Sequence, residues 1–84
     1  MMVQRWDPAR RAYSEYRLPA GASCYEADMG AVVSCARCGA RVAYGDCYTS
    51  RQIHTGAGFG YAVCPDCYQE EWREEAIAHG GGKA

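Results

Sequence analysis

The sequence predicts a small α+β domain in which β-hairpins precede one C-terminal helix, and three observations point to it. Eighty-four residues are too few to be comfortably stable on apolar packing alone, so a staple is expected. Two Cys-x-x-Cys pairs, Cys35/Cys38 and Cys64/Cys67, stand in the pattern C-x2-C-x25-C-x2-C and supply candidates for that staple. Up to residue 63 the chain reads as short strands broken by Gly, Asp and Pro, and from Pro65 onward it turns helical.

The composition is that of a folded chain, with 49% hydrophobic residues, seven Tyr and two Trp. Aliphatic residues are scarce: Leu18 is the only Leu, and Ile53, Ile77 and Phe59 add little, so the core must lean on Val, Ala, Tyr, Trp and Cys. The N-terminus carries charge but no apolar leader core, and no window approaches the ~18 consecutive apolar residues of a membrane span. The expected setting is therefore intracellular and without a membrane, where thiols stay reduced. Net charge is −1, but it is unevenly spread. Residues 1–20 hold four Arg against two acids, and residues 61–84 hold five acids against two bases.

Taken in order, residues 1–20 form an N-terminal arm. Asp7 is placed to cap a short helix with Pro8 at its first position, and Tyr16 to Leu18 suit an extended stretch before Pro19. Two short strands, about 23–27 and 31–34, are expected around a turn at Asp28-Met29-Gly30. The run "CARCG" then has the form of a zinc knuckle, a tight turn whose amides point at thiolate sulfurs and in which Gly39 tolerates the backbone angles. "ARVAY" and "CYTSRQIHT" read as a hairpin around Gly45-Asp46. "GAGFG" is a loop, and "YAV" a strand delivering the chain to the second cysteine pair. The helix runs from Pro65 to the glycines at 80–82. The expected domain is thus 1–79, with knuckle, hairpin and helix in 35–79 and a flexible tail at 80–84.

Two cysteine pairs in a reduced setting favour a metal over a disulfide cluster. A thioredoxin-type redox pair needs one such motif inside a βαβ unit. Cys35, Cys38, Cys64 and Cys67 are the expected ligands of one tetrahedral Zn2+. At a helix start, unpaired amides and the dipole are expected to lower the pKa of Cys64 and Cys67. Four thiolates fill the coordination sphere and leave no place for a catalytic water, and the His-x-Glu of zinc deaminases is missing. Knuckle, hairpin, then a helix opening on the second ligand pair resembles the treble-clef group of zinc folds over residues 35–79. That group serves protein binding, nucleic-acid binding and enzymes alike.

Other candidates have simpler readings. Cys47 and His54, seven apart, face opposite sides of a regular strand and form no dyad unless a bulge intervenes. Cys47 and Cys24 read as structural, with a second metal or a mutual pair as lesser options, and His54 as a substitute zinc ligand. The glycines at 56, 58 and 60 fit neither a dinucleotide nor a Walker loop. On the helix, Tyr68, Trp72, Ala76 and His79 share a face assigned to the core. Glu70, Arg73, Glu74 and Ile77 lie opposite, flanked by Glu71 and Glu75. With exposed Phe59, these four make the expected partner surface. Arg5, Arg10, Arg11 and Arg17 either bind phosphate or pair with the acidic helix, and the second is preferred.

No catalytic group emerges, so a non-catalytic protein-binding module is expected. A zinc finger for nucleic acid is the alternative, disfavoured by the scarcity of Lys. The whole chain, through "WDPARRAYSEYRLPAG", "YEADM", "CARCG" and "GFGYAVCPDCY", is similar to small proteins carried by phages and mobile elements of gut bacteria. Among these are zinc-containing anti-CRISPR proteins that inhibit the nuclease Cas9. The resemblance implies a stoichiometric inhibitor docking on a large basic host protein in the bacterial cytoplasm.

Overall fold

A computed structural model describes residues 2–78. It is a small α+β fold: β1 (Met2–Asp7), β2 (Ala12–Arg17), β3 (Val32–Ser34), β4 (Arg41–Ala43), a 3-10 turn (Tyr44–Asp46), β5 (Tyr48–His54), β6 (Gly60–Val63) and α1 (Pro65–Ala78). Four strands form one antiparallel sheet in the order β2-β1-β5-β6, and β3 and β4 form a separate ribbon. The expected helix end at 80–82, His79 and the tail lie outside the described residues. Among the described residues, no helix is long and apolar enough to cross a membrane.

The N-terminal arm is a β-hairpin rather than a helix. Asp7 does cap, but its Oδ1 accepts the amides of Ala9 (3.0 Å) and Arg10 (3.3 Å), and the Arg11 amide returns to the Asp7 carbonyl at 2.7 Å. An aspartate before a turn and one before a helix satisfy the same amides, and here the strand pairing of β1 with β2 decides between them.

Residues 23–27 form no strand, although the turn at Asp28 is present, with the Gly30 amide donating to Asp28 Oδ1 at 2.9 Å. Nor do β4 and β5 pair with each other. β4 pairs back across the knuckle with β3, whereas β5 crosses to β1 and β6. The hairpin preceding the helix is β5–β6. Its loop is closed by Thr55, whose Oγ1 accepts the amides of Ala57 (3.2 Å) and Phe59 (3.1 Å).

β5 carries a large bulge. It advances from Thr49 to His54 while β6 advances only from Ala62 to Gly60. The extra residues turn toward α1, leaving Ser50, Gln52 and Ile53 all buried. Gly60 sits where the strands close up again, since a Cβ there would lie 2.7 Å from the Ser50 carbonyl oxygen.

The helix packs on this bulge through a stripe that the sequence does not mark as apolar. Tyr68 stacks on Tyr48, with ring centroids 4.8 Å apart. Glu71 accepts the Ser50 hydroxyl (2.5 Å) and the Arg51 amide (2.7 Å), and Gln52 Nε2 donates to Glu74 at 3.3 Å. Glu71 is fully buried, while Trp72 is 50% exposed and Ala76 is exposed. The helix is therefore rotated by roughly one residue, about 100°, from the orientation expected of its aromatic face. A carboxylate wins the buried position because the bulge offers it two donors, which an indole cannot use.

Ser50 Oγ in turn accepts the amides of Gln52 (3.1 Å) and Ile53 (2.9 Å), so Glu71 holds the bulge together through one hydroxyl. Replacing Glu71 by Ala strands a hydroxyl and an amide in the interior. The expected outcome is a loss of about 2–3 kcal/mol, read from the denaturant midpoint.

Candidate metal centre

The first two cysteines belong to the turn between β3 and β4. The Cys35 amide donates to the Ala40 carbonyl (2.7 Å) and the Gly39 amide to the Cys35 carbonyl (2.9 Å), closing the turn. Gly39 has φ +80°, where a side chain would be strained. Cys35 is completely buried and its Sγ accepts three amides, those of Arg37 (3.4 Å), Cys38 (3.5 Å) and Cys64 (3.3 Å). The second pair opens α1. Cys64 lies between the end of β6 and α1, Pro65 begins the helix without needing an amide partner, and the Tyr68 amide closes the first turn on the Cys64 carbonyl at 2.9 Å.

The four Sγ atoms of Cys35, Cys38, Cys64 and Cys67 lie within 4.8 Å of one another. Cys38 and Cys64 are 3.9 Å apart at sulfur. A tetrahedron with metal–sulfur bonds of about 2.3 Å has edges of about 3.8 Å, so the Cys38–Cys64 separation matches such an edge and no pair exceeds it by more than about 1 Å. The donor set, four sulfurs with three amides already directed at one of them, is positioned to bind a metal ion.

Electrostatics point the same way. Burial alone would raise the Cys35 thiol, but its three amides outweigh burial and bring it down to about 7. Cys64 and Cys67 are both raised, first by burial; hydrogen bonding to neighbouring sulfurs raises Cys67 further. The expected lowering of Cys64 and Cys67 at the helix start is thus reversed: burial outweighs the amide hydrogen bond at Cys64, and it is the knuckle thiol Cys35 that is lowered. Four sulfurs this close cannot all ionise by themselves, and a cation is what permits it.

Cys24, Cys47 and His54 stay outside the cluster. Cys24 packs against the core, Cys47 donates to the Ala43 carbonyl at 3.5 Å, and His54 packs against Tyr13 with centroids 6.1 Å apart. A bulge does lie between Cys47 and His54, yet each is occupied elsewhere.

Arg37, in the interior of the first Cys-x-x-Cys, escaped the sequence reading. Its guanidinium donates to the Cys67 carbonyl (3.1 Å) and to Glu74 Oε2 (2.9 Å), tying knuckle to helix beside the sulfurs. The signal was an arginine between the two cysteines of a ligand motif with no acid nearby in sequence.

The expected partner surface divides accordingly. Glu74 is held by Arg37, by Gln52 and more distantly by Arg5 at 4.0 Å. Glu70 pairs with Arg73 on the exposed side, while Ile77 and Phe59 are 70% and 64% exposed. Comparison with models of protein families, with curated proteins and with solved structures finds no match for this chain.

Two outcomes follow from this geometry. Burial would raise the Glu74 carboxyl, but Arg37 lowers it below its ordinary 4.5, with Gln52 and Arg5 helping. Its stabilising effect is therefore complete above the unfolded-state value and lost as pH falls through the lower folded value. Glu74→Gln should flatten the loss of stability below about pH 4.5, read from denaturant midpoints between pH 6 and pH 3.

Elemental analysis should find one metal ion per chain. Cys35→Ser, Cys38→Ser, Cys64→Ser or Cys67→Ser should lower that content, while Cys24→Ser and Cys47→Ser should retain it.

Proposed function

We propose that the chain is a non-catalytic protein-binding module built on a structural zinc ion. The observation that carries this reading is the set of four cysteine sulfurs within 4.8 Å of one another: as thiolates around one ion they would fill a tetrahedral site and leave no position for water or substrate. All-sulfur tetrahedral coordination suits Zn2+. The knuckle, the β5–β6 hairpin and a helix opening on the second cysteine pair keep to the order of the treble-clef resemblance.

The binding surface we assign is the outer side of α1, around Trp72, Arg73 and Ile77. Arg51 lies over the Trp72 ring at 4.2 Å and pairs with Glu75 at 3.3 Å, so the indole is held in place while half its surface meets solvent. Trp, Tyr and Arg dominate binding energy at protein interfaces, and a pre-ordered indole loses little entropy on docking. The surface is mixed rather than acidic, since Glu70 is paired with Arg73, and Glu71 and Glu74 are committed inside the molecule. The resemblance to mobile-element cargo supplies the partner in this reading: a large host nuclease of the Cas9 kind, which the chain inhibits stoichiometrically in the bacterial cytoplasm.

The test is capture from a host lysate and from purified Cas9 by the zinc-loaded chain and by Trp72→Ala and Ile77→Asp variants. One protein should be retained in stoichiometric amount, and each variant should weaken it about tenfold or more while keeping its zinc. Retention of the partner by both variants, or recovery of no protein at all, overturns the reading.

A further inference from the structure

We infer that the open face of the four-stranded sheet, opposite α1, is a binding surface for single-stranded nucleic acid. Trp6, Tyr13 and His54 are its stacking groups, and Arg10, Arg11 and Arg17 its phosphate contacts.

Strand register defines the face. Directly opposed residues of antiparallel strands share a side, so Gln4 aligns with Glu15 and His54, and Trp6 with Tyr13. Arg5 and Ile53, one step along, share the other side, where Arg5 reaches Glu74 and lies 5.3 Å from the Tyr16 ring centroid. Alternation along β2 places Tyr13, Glu15 and Arg17 together on the open side.

The aromatic groups form a row across three strands. Trp6 meets Tyr13 edge-on with centroids 5.0 Å apart, Tyr13 meets His54 at 6.1 Å, and Tyr13 is 54% exposed. Beside this row is a recess of about 410 Å³, walled by Tyr13, His54 and Gln4 and bordered by the 55–58 loop. A Cβ at Gly56 or Gly58 would meet nothing within 4 Å, so the loop side is open to a flat ligand. An aromatic wall with a carboxamide, which both donates and accepts, fits a nucleobase, whose faces stack and whose edge carries both kinds of group.

Charge selects the ligand further. Arg10, Arg11 and Arg17 are exposed, and none of the ion pairs among the described residues involves them. The sequence had left two uses for the arginines, and only Arg5 turns to the acidic helix. Asp7 accepts the turn amides and Glu15 stands on this face, so the hairpin sets three exposed arginines, Arg10, Arg11 and Arg17, against two acids. Arg11 also occupies a left-handed backbone position, φ 55°, which Gly or Asn adopts at lower cost. Stacking requires unpaired bases, so a single strand fits this face and a duplex does not.

The test uses zinc-loaded full chain and fluorescence anisotropy with labelled oligo-dT, oligo-U and a matched DNA duplex between 50 and 200 mM salt. The single strands should bind at least tenfold tighter than the duplex. Three phosphate contacts give a log–log salt slope of about −2. Tyr13→Ala, at an exposed position, should weaken binding about tenfold, and Arg10→Gln, Arg11→Gln and Arg17→Gln should each make the slope shallower by about 0.7. Metal content and thermal midpoints confirm that each variant is folded. No binding at 50 mM salt, equal binding of the duplex, or binding indifferent to Tyr13→Ala and the arginine variants overturns the inference. So does loss of a protein partner on Tyr13→Ala with no oligonucleotide bound. Failure of the Trp72 surface to retain a protein leaves this test unaffected, because the two surfaces lie on different elements.

Discussion

Four sulfur atoms brought within 4.8 Å of one another are the constraint on which the remaining structure depends. A chain this poor in aliphatic residues builds its core around the cysteines themselves. Cys35 and Ala36 are buried among Val3, Ile53, Tyr61 and Val63, and Cys64, Cys67 and Tyr68 pack against that cluster. The knuckle is also the point to which other elements are tied. Tyr16 of the N-terminal hairpin donates to the Ala36 carbonyl at 2.7 Å, and the Ala36 amide donates to Ala62 of β6 at 3.0 Å. Burial raises the Cys64 and Cys67 thiols, and because ligand sulfurs bind a metal as thiolates, folding, thiol ionisation and metal binding are linked.

A second constraint lies where helix meets sheet. An apolar interface would tolerate sliding, whereas a buried carboxylate facing one hydroxyl and one amide accepts a single register. Tyr48 with Tyr68, Ser50 with Glu71 and Gln52 with Glu74 define that register from one end of the contact to the other. The network is not fully satisfied, since Gln52 Oε1 is buried with no hydrogen-bond partner. Polar contacts of this kind fix geometry more than they add stability, which leaves the four-cysteine cluster as the candidate for the main staple.

What the sequence makes legible is what local chemistry decides. The cysteine spacing, the need for Gly39 and the start of α1 at Pro65 all depend on residues within a few positions of one another and stand in the structure, as does the loop at 56–60 except that Gly60 already belongs to β6. Pairings decided at long range were not legible. β5 joins β1 through Gln4 and His54, fifty positions apart, so Gly45-Asp46 becomes a 3-10 turn between two sheets rather than a hairpin tip. The rotation of α1 has the same origin. A helical wheel ranks Trp72 above Glu71 for burial, because the donors that reverse the order belong to a strand about twenty residues earlier. Arg37 was missed for a related reason: its acid, Glu74, is separated from it by the whole β5–β6 hairpin.

A net charge of −1 conceals a segregation that this topology produces. The basic hairpin and the acidic helix are distant in sequence, but the β1–β5 pairing sets them on one sheet, and strand alternation then sorts the arginines. Arg5 points toward α1 and is absorbed by Glu74 and Tyr16, while Arg17 emerges on the opposite side and Arg10 and Arg11 stand in the turn. The acids of α1 are sorted likewise, with Glu71 buried, and Glu74 and Glu75 paired to Arg37 and Arg51. What reaches solvent is therefore a mixed aromatic helix face on one side and an aromatic, cationic sheet face on the other. The scarcity of Lys argues against a nucleic-acid surface only if charge is averaged over the chain. Within about a Debye length of the hairpin, ~8 Å at physiological salt, a phosphate meets the arginines of the turn before any acid of the helix.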